Sequence, residues 1–199
     1  MADYTAIFEA GSALVELLRD RLTPDPISKP EMISLCSPHE SENNMLTVWM
    51  YHMEEESRSG SMAFMSAGPG REQMAAADIS AYYLLTAHSK APQQVRQADQ
   101  YRILGAAFQA VRDEPVIEAA YLSGSLARTQ AELHVSVERP GFDQMIKIWN
   151  NTSSAFKPSI AVKITGISID SARSRTVSRV TDIRMDVEQK EIAAKGGRK

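Results

Sequence analysis

The side chains that could carry out metal or acid–base chemistry are scattered along the sequence. The histidines are His39, His52, His88 and His134, and none of them forms the HxH or HExxH spacing that brings zinc ligands together. The HMEE segment at 52–55 falls at a predicted strand end, where the geometry of a zinc helix does not form. We therefore predict that the histidines are surface or core residues and that no metal is bound.

Motifs for nucleophiles and phosphate groups are also missing. Cys36 has no nucleophile-elbow signature and, as the single cysteine, cannot form an internal disulfide. The GPGRE segment at 68–72 lacks the GK[ST] ending of a phosphate loop, and the Ser-Gly-Ser segment at 123–125 lacks the GxSxG frame. The sequence thus predicts no catalytic residue and no cofactor. A hydrolase or transferase with scattered catalytic residues remains an alternative.

Two further groups have a plain structural interpretation. The triplet Glu54–Glu56 could attract a cation, but successive residues of a strand point to opposite sides, so a solvated strand edge is predicted. Tyr82 and Tyr83 could stack on bases, yet they lie in an apolar segment and are predicted to be core.

Three arginines near the end of the chain suit contact with an acidic partner. Arg173, Arg175 and Arg179 share parity, so an extended chain would project all three from one side. Residues 171–199 contain eight Lys and Arg against four Asp and Glu, a charge of +4, which leaves −7 on residues 1–170 of a chain with net charge −3. We expect these arginines to grip an acidic surface on a partner subunit. The alternative is a frayed, basic strand end.

Residues 54–77 are the second candidate contact region. They show no sustained period and predict a loop of about twenty residues, which is long for a compact domain. Met62, Met65 and Met74 are adaptable apolar side chains that could settle on a neighbouring subunit. We expect an assembly loop, with a floppy insertion as the alternative.

The strongest predicted elements lie in the middle of the chain and must position the rest. Residues 78–87 predict a central strand, covered on one face and partly on the other, with Tyr83 and Leu85 on the same side. A helix follows Pro92 and ends before the next proline. The apolar stripe that it should lay on the sheet consists of Tyr101, Leu104, Phe108 and Val111. Gly105 lies in the middle of this helix, so another backbone or a large ring is expected to come close there.

The flanking segments supply the remaining elements. We predict a helix over residues 6–22, a hairpin formed by strands 32–36 and 45–53, a loop over 119–130 and a half-buried strand over 133–138. The helix over 6–22 has an apolar stripe of Ile7, Gly11, Leu14, Leu18 and Leu22.

Two elements complete the predicted fold. A short helix over 142–149 should place Phe142, Met145 or Ile146, and Trp149 inward. The last strand runs over 157–170, and its apolar phase shifts by one residue, which predicts a bulge at Gly166.

This order of elements predicts an α+β fold, with helices packed on a mainly antiparallel sheet. The chain has 199 residues, 43% hydrophobic and 24% charged, and we expect one domain over 1–185 and a short charged tail over 186–199. No segment approaches the roughly 18 apolar residues that span a bilayer, and the N-terminus is no secretory signal, so we expect a cytoplasmic location without membrane contact. The net charge argues against nucleic acid as a partner, although its binding by the basic C-terminal segment stays an alternative.

Several ordered segments resemble one family over residues 2–183. The chain is similar to the tail terminator, or cap, proteins of phage-tail-like contractile injection systems of the antifeeding prophage and virulence cassette type. The segments that carry the resemblance are SALVELLRDRLTPDPISKPE, YYLLTAHS, RILGAAFQAVRDEPVI, IKIWNN and SIDSARSRTVSRVTD.

The resemblance implies a phage tail-terminator-like fold and a structural role without catalysis. It implies a homo-oligomeric ring of six copies on the end of the inner tube farthest from the baseplate, in contact with the inner tube protein and with the sheath protein of the last layer. Such a ring would end tail assembly, fix the tail length and form part of a phage-tail-like particle.

Overall fold

The computed structural model describes residues 2–40, 43–56, 63–150 and 155–177. Within these ranges the α-helices are α1 (Ala6–Leu22), α2 (Gln93–Asp113), α3 (Gly124–Thr129) and α4 (Phe142–Asn150). The strands are β1 (Ile33–Leu35), β2 (Leu46–Glu55), β3 (Phe64–Ser66), β4 (Arg71–Met74), β5 (Ala77–Ala87), β6 (Val116–Ile117), β7 (Leu133–Glu138), β8 (Ser159–Ile169) and β9 (Ser174–Thr176). Met62, Arg179 and the predicted tail over 186–199 lie outside the described residues.

A six-stranded sheet in the order β1-β2-β5-β8-β7-β6 forms the centre of the fold. Its middle contains β5, as the apolar pattern of residues 78–87 predicts, and Tyr83 and Leu85 are buried there. Neighbouring strands are antiparallel except for β1 and β2. Buried residues of α1 and α2 join those of the sheet in one core. The α+β prediction is confirmed, and so is the helix predicted over residues 6–22.

The hairpin predicted from residues 32–36 and 45–53 is wrong. β1 and β2 run parallel, with Ile33 opposite Leu46. A three-residue strand is only about 10 Å long. The connecting residues 36–45 are therefore long enough to bring the chain back alongside the first residue of β1, so that β2 can run in the same direction. Apolar segments this short do not by themselves specify whether two strands pair in parallel or antiparallel.

β8 contains the bulge that was predicted at Gly166. Its pairing with β5 shifts between Ile164 and Ile167, both of which are buried. Gly166 has a φ of +87°, and a Cβ at this position would lie 2.2 Å from the carbonyl oxygen of Glu132. Glycine is therefore required here, and the bulge keeps both isoleucines in the core.

The packing face of α2 is aliphatic and contains no buried aromatic side chain. Its buried residues are Ile103, Ala107, Ala110 and Val111. Val111 is buried and Leu104 packs against the core, as predicted, but Phe108 is 41% exposed and Tyr101 is 55% exposed, so the predicted inward position of these two rings is wrong. Ala107 and Ala110 face the core, and the Tyr101 and Phe108 rings lie outside it. The close approach expected at Gly105 is also wrong, because nothing lies within 4 Å of a Cβ built there.

The opposite face of the sheet has a small second core under α4. Leu84, Ile148 and Trp149 are buried together there. Phe142 is 70% exposed and touches Phe156, with ring centroids 6.1 Å apart, so its predicted inward position is wrong. The buried residues of α4 are in its last turn, and its first residue therefore lies beyond this core.

The predicted loop over 119–130 contains the short helix α3. A 3-10 turn at Ala119–Tyr121 precedes it, and Gln130 ends it in the left-handed conformation with a φ of 51°. A six-residue helix has too few positions to show a periodic pattern, which is why the sequence predicts a loop.

α3 is held in place by Glu9, a buried carboxylate on α1. Glu9 Oε2 accepts hydrogen bonds from Ser125 Oγ at 2.8 Å and from the backbone N–H of Leu126 at 2.9 Å. Burial disfavours the charge, but these bonds and one donated by Thr5 outweigh it and lower the pKa of Glu9 to about 2.

Glu9→Gln is expected to lower the free energy of unfolding by about 2 kcal/mol at pH 7. Because the folded-state pKa lies below the ordinary value of 4.5, the contribution of the carboxylate is complete above that value and is lost as pH falls toward 2. Urea unfolding of both proteins between pH 7 and pH 2.5 measures the difference, which should shrink over this range.

The matched control is Glu16→Gln on the same helix. Glu16 is exposed and pairs with Arg19 at 2.8 Å on the surface, so a change below about 0.5 kcal/mol is expected. A pH-independent difference between Glu9→Gln and the unsubstituted protein would contradict the assignment of an ionised Glu9.

The region predicted as a loop over 54–77 contributes to a second sheet in the order β3-β4-β9. We call this sheet, with its connections over 63–76 and 170–177, the arm. β4 and β9 continue the antiparallel pairing of β5 and β8, and β3 folds back on β4 after the turn at 68–70. No residue of the arm is buried. For the described residues the loop prediction is wrong, because β3 and β4 are too short to show alternation, while residues 57–62 lie outside the described ranges.

Candidate protein interface

The residues that could carry chemistry do not come together. Three histidines are exposed, and each lies near a different side chain: His39 near Ser37, His52 near Glu54 and His134 near Glu132. His88 is buried between Thr47 Oγ1 at 3.0 Å and Lys157 Nζ at 3.1 Å, and burial together with the charge of Lys157 lowers the pKa of His88 to about 4. Within the described ranges, no three His, Cys, Asp or Glu side chains form a metal site.

Cys36 has the surroundings of an unreactive thiol. Its side chain is half-buried, and Asn44 Nδ2 lies 3.3 Å from the sulfur. Burial and the charge of Glu40 raise the pKa of the Cys36 thiol. The thiol therefore stays protonated near neutral pH, whereas a nucleophilic cysteine needs a lowered pKa.

The acidic end of β2 is only partly the solvated edge that the sequence predicts. Glu54 accepts a hydrogen bond from the hydroxyl of Tyr82, and Lys163 Nζ lies 4.0 Å from the same carboxylate. The Lys163 cation also lies 5.2 Å from the centre of the Tyr82 ring. Tyr82 is only half-buried, on the face of the sheet opposite the main core, so its predicted core position is wrong. Glu55 is exposed to solvent.

The predicted arginine strip lies on the arm. Arg173 and Arg175 point to the same side, with their guanidinium carbons 5.8 Å and 4.2 Å from the centre of the Phe64 ring. Arg175 Nη2 also lies 2.8 Å from Glu72 Oε2. The strip therefore has partners within its own arm, although the Arg175 side chain remains 58% exposed. Met65 is 63% exposed on β3.

The arm has the properties of a contact element. A sheet of three short strands is stable when a hydrophobic face packs on something, and no arm residue is buried in this chain. Among the described strands, β3 and β9 each pair on one side only, which leaves two open edges. Exposed edges of this kind pair readily with another chain.

An apolar surface lies beside β1 and β2. We give this name to four exposed side chains, Tyr4 (84% exposed), Phe8 (67%), Leu35 (38%) and Met50 (37%), which border a groove of about 370 Å³. Contiguous exposed apolar residues mark contact sites for proteins. The one sequence signal for this surface is the four-residue spacing of Tyr4, just before α1, and Phe8, in its first turn, both outside the apolar stripe of the helix.

Comparison with known proteins gives one family whose model matches most of the chain. The family model described as the Pvc16 N-terminal domain matches residues 9–182. No curated protein matches the chain. Among the described helices, none is long and apolar enough to cross a membrane.

Two solved structures have a similar fold. One is the "PVC sheath/tube terminator in extended state" of an extracellular contractile injection system, with a TM-score of 0.62 and 17% identity over 96% of this chain and 66% of the other. The second is the "anti-feeding prophage cap (AFP tube terminating cap)", with a TM-score of 0.59 and 17% identity over 88% of this chain and 59% of the other. This chain therefore spans less than two thirds of the length of either structure. The predicted resemblance to tail terminators is confirmed.

Proposed function

Because the chain belongs to the Pvc16 N-terminal domain family, we propose that it is a structural cap that ends the tube of a contractile injection system. Six copies form a ring on the end of the inner tube farthest from the baseplate. The ring contacts the last sheath layer, stops tail growth and fixes the length of a particle that assembles in the cytoplasm. Residues 1–185 act as one domain, with 186–199 as a charged tail, and no reaction is catalysed.

The observation that carries this proposal is the agreement of nearly the whole chain with the fold of two tube-terminating caps. The dispersed histidines and the protonated Cys36 give no comparable support to the enzymatic alternative. Arg175 of the basic C-terminal segment is paired with Glu72, which reduces the positive charge that this segment offers to nucleic acid.

Capping follows from the way in which a tube grows. Each layer of a helical tube offers the same face to the next layer, and a protein that complements this face without reproducing it ends growth. Such a protein needs several separate contact surfaces. The arm and the apolar surface are exposed in the isolated chain and are available for these contacts.

We assign Met65, Arg173 and Arg175 to contacts within the assembly. Met65 offers an adaptable apolar group. The two arginines lie on an arm attached to a chain whose residues 1–170 carry a charge of −7, so attraction to a second copy is favourable. The contribution of these charges should weaken as salt rises.

Loss of the gene in the producing cell is expected to release control over tube length. Without the cap, the last layer still offers a growing face, and electron micrographs should show a broad distribution of tube lengths or tubes without sheath. Measurement of several hundred particles gives the distribution.

A plasmid copy of the intact gene is the control and should restore a single length. A plasmid copy of a Glu16→Gln variant should restore it equally well, because Glu16 is an exposed residue of α1. Particles of uniform, ordinary length in the deletion strain would contradict the capping function.

A further inference from the structure

The outer edge of β2 is open over most of its length. β1 pairs with β2 only from Leu46 to Val48, and no other described strand covers this side as far as Glu55. The uncovered part includes the exposed Met50 and Met53. A long exposed edge with apolar side chains is a template for strand addition.

The backbone phase shows which groups face outward on this edge. The N–H of Glu56 donates to the carbonyl of Asp78, toward β5. Backbone groups alternate between the two sides of an antiparallel strand. Those of Met53 and Glu55 therefore point away from β5, where no described strand accepts or donates hydrogen bonds.

The second open edge belongs to β9. Two hydrogen bonds flank its pairing with β4: the N–H of Met74 donates to the carbonyl of Arg173, and the N–H of Val177 donates to the carbonyl of Gly70. By the same alternation, the backbone groups of Ser174 point outward.

The two open edges lie on opposite sides of the subunit. β4 and β9 continue β5 and β8, β2 lies on the β5 side, and β9 lies on the β8 side. A ring of identical subunits joins one side of each copy to a different side of the next. Open edges on opposite sides satisfy this requirement, whereas two open edges on one side would not.

The charges of the two edges are complementary. The β2 edge ends at Glu54 and Glu55, both exposed, while β9 carries Arg175 and follows Arg173, both exposed as well. Opposite charges across neighbouring strands favour pairing and fix its register. The occupant that fits the β2 edge is therefore a cationic strand, and a second copy of this chain supplies one.

We propose that β9 of one copy adds to the outer edge of β2 in the next copy, so that the six-stranded sheet continues across the subunit boundary. The apolar surface next to β2 is covered by the same neighbour. The inference rests on the ring in the proposed function and names the edges that close it. It also explains why the arm has no core of its own: the neighbouring subunit supplies the packing.

Cross-linking of mixed single-cysteine chains tests this contact. In a Cys36→Ser background, a Met53→Cys chain is mixed with a Ser174→Cys chain and oxidised, so that a heterodimer can form only across a boundary between copies. We expect a disulfide-linked dimer in this mixture. The control mixture pairs Ser174→Cys with Val116→Cys on β6, an exposed residue on the same side of the strand order as β9, and should give no link.

Met53→Lys tests the contact without a cross-link. Met53 is 51% exposed, so the fold and the melting temperature should stay unchanged. A lysine on the edge, facing the arginines of β9, should weaken self-association in light scattering about tenfold or more. Val95→Lys on α2, where Val95 is 52% exposed, is the control and should assemble normally.

The results separate this inference from the proposed function. Rings that survive Met53→Lys, or a link between Met65→Cys and Ser174→Cys chains that points to pairing between arms, would overturn the β2–β9 contact while capping stands. An unsubstituted protein that does not associate would also overturn it. The distribution of tube lengths in the deletion strain tests the capping function separately.

Discussion

Replacing residues 57–77 by Asn-Gly is expected to abolish ring formation while the rest of the chain stays folded. Glu56 already pairs with Asp78, so a two-residue turn can join β2 to β5 directly. No described residue in the removed segment is buried, and the free energy of unfolding should change by less than about 1 kcal/mol. The deletion takes away β3 and β4, and β9 then has no strand to hold it in position.

Light scattering measures the assembly state of this variant, and thermal unfolding measures its stability. The matched control is Ser66→Ala, which alters one exposed side chain at the end of β3 and keeps the three strands of the arm. We expect the control to retain β9 in place. Rings of ordinary size formed by the deletion variant would show that the arm is dispensable for assembly.

Gly166→Ala is expected to destabilise the protein by about 3 kcal/mol. A Cβ at this residue would lie 2.2 Å from the carbonyl oxygen of Glu132. The backbone φ of +87° is also unfavourable for any residue other than glycine. The backbone must shift to relieve the clash, which disturbs the pairing of β7 with β8. In a domain of this size, the melting temperature should fall by about 10 °C.

Gly105→Ala is the control and should have the opposite sign. Gly105 lies inside α2, and nothing lies within 4 Å of a Cβ built there. Alanine is favoured over glycine in a helix by about 0.5–1 kcal/mol, so a small stabilisation is expected. Equal melting temperatures for Gly166→Ala and the unsubstituted protein would contradict the requirement for glycine at the bulge.

Part of the candidate interface was predictable. The parity of Arg173 and Arg175 correctly indicated a common side, because alternation along an extended strand depends only on residue number. Their partners, Phe64 and Glu72, were not predictable, since about 100 residues separate them along the chain. The interface role of these residues stays a prediction.

The helix that contains Glu9 was predicted correctly, but the structural role of the Glu9 carboxylate was not. In the sequence, a carboxylate in the first turn of a helix suits the helix dipole and suggests an exposed position. In the structure it binds Ser125 and Leu126, more than 110 residues away. Burial of a charge depends on partners that only the folded chain brings close.

The sequence by itself determined the elements that carry a long local pattern. The helix over 6–22, the central strand with Tyr83 and Leu85, and the bulge at Gly166 follow from periodicity and from a phase shift within one segment. Tertiary structure alone decided the parallel pairing of β1 with β2, the exclusion of the aromatic rings from the buried face of α2, and the arm. These features depend on which segments meet across the chain, and short or evenly apolar segments are compatible with several partners until the whole core forms.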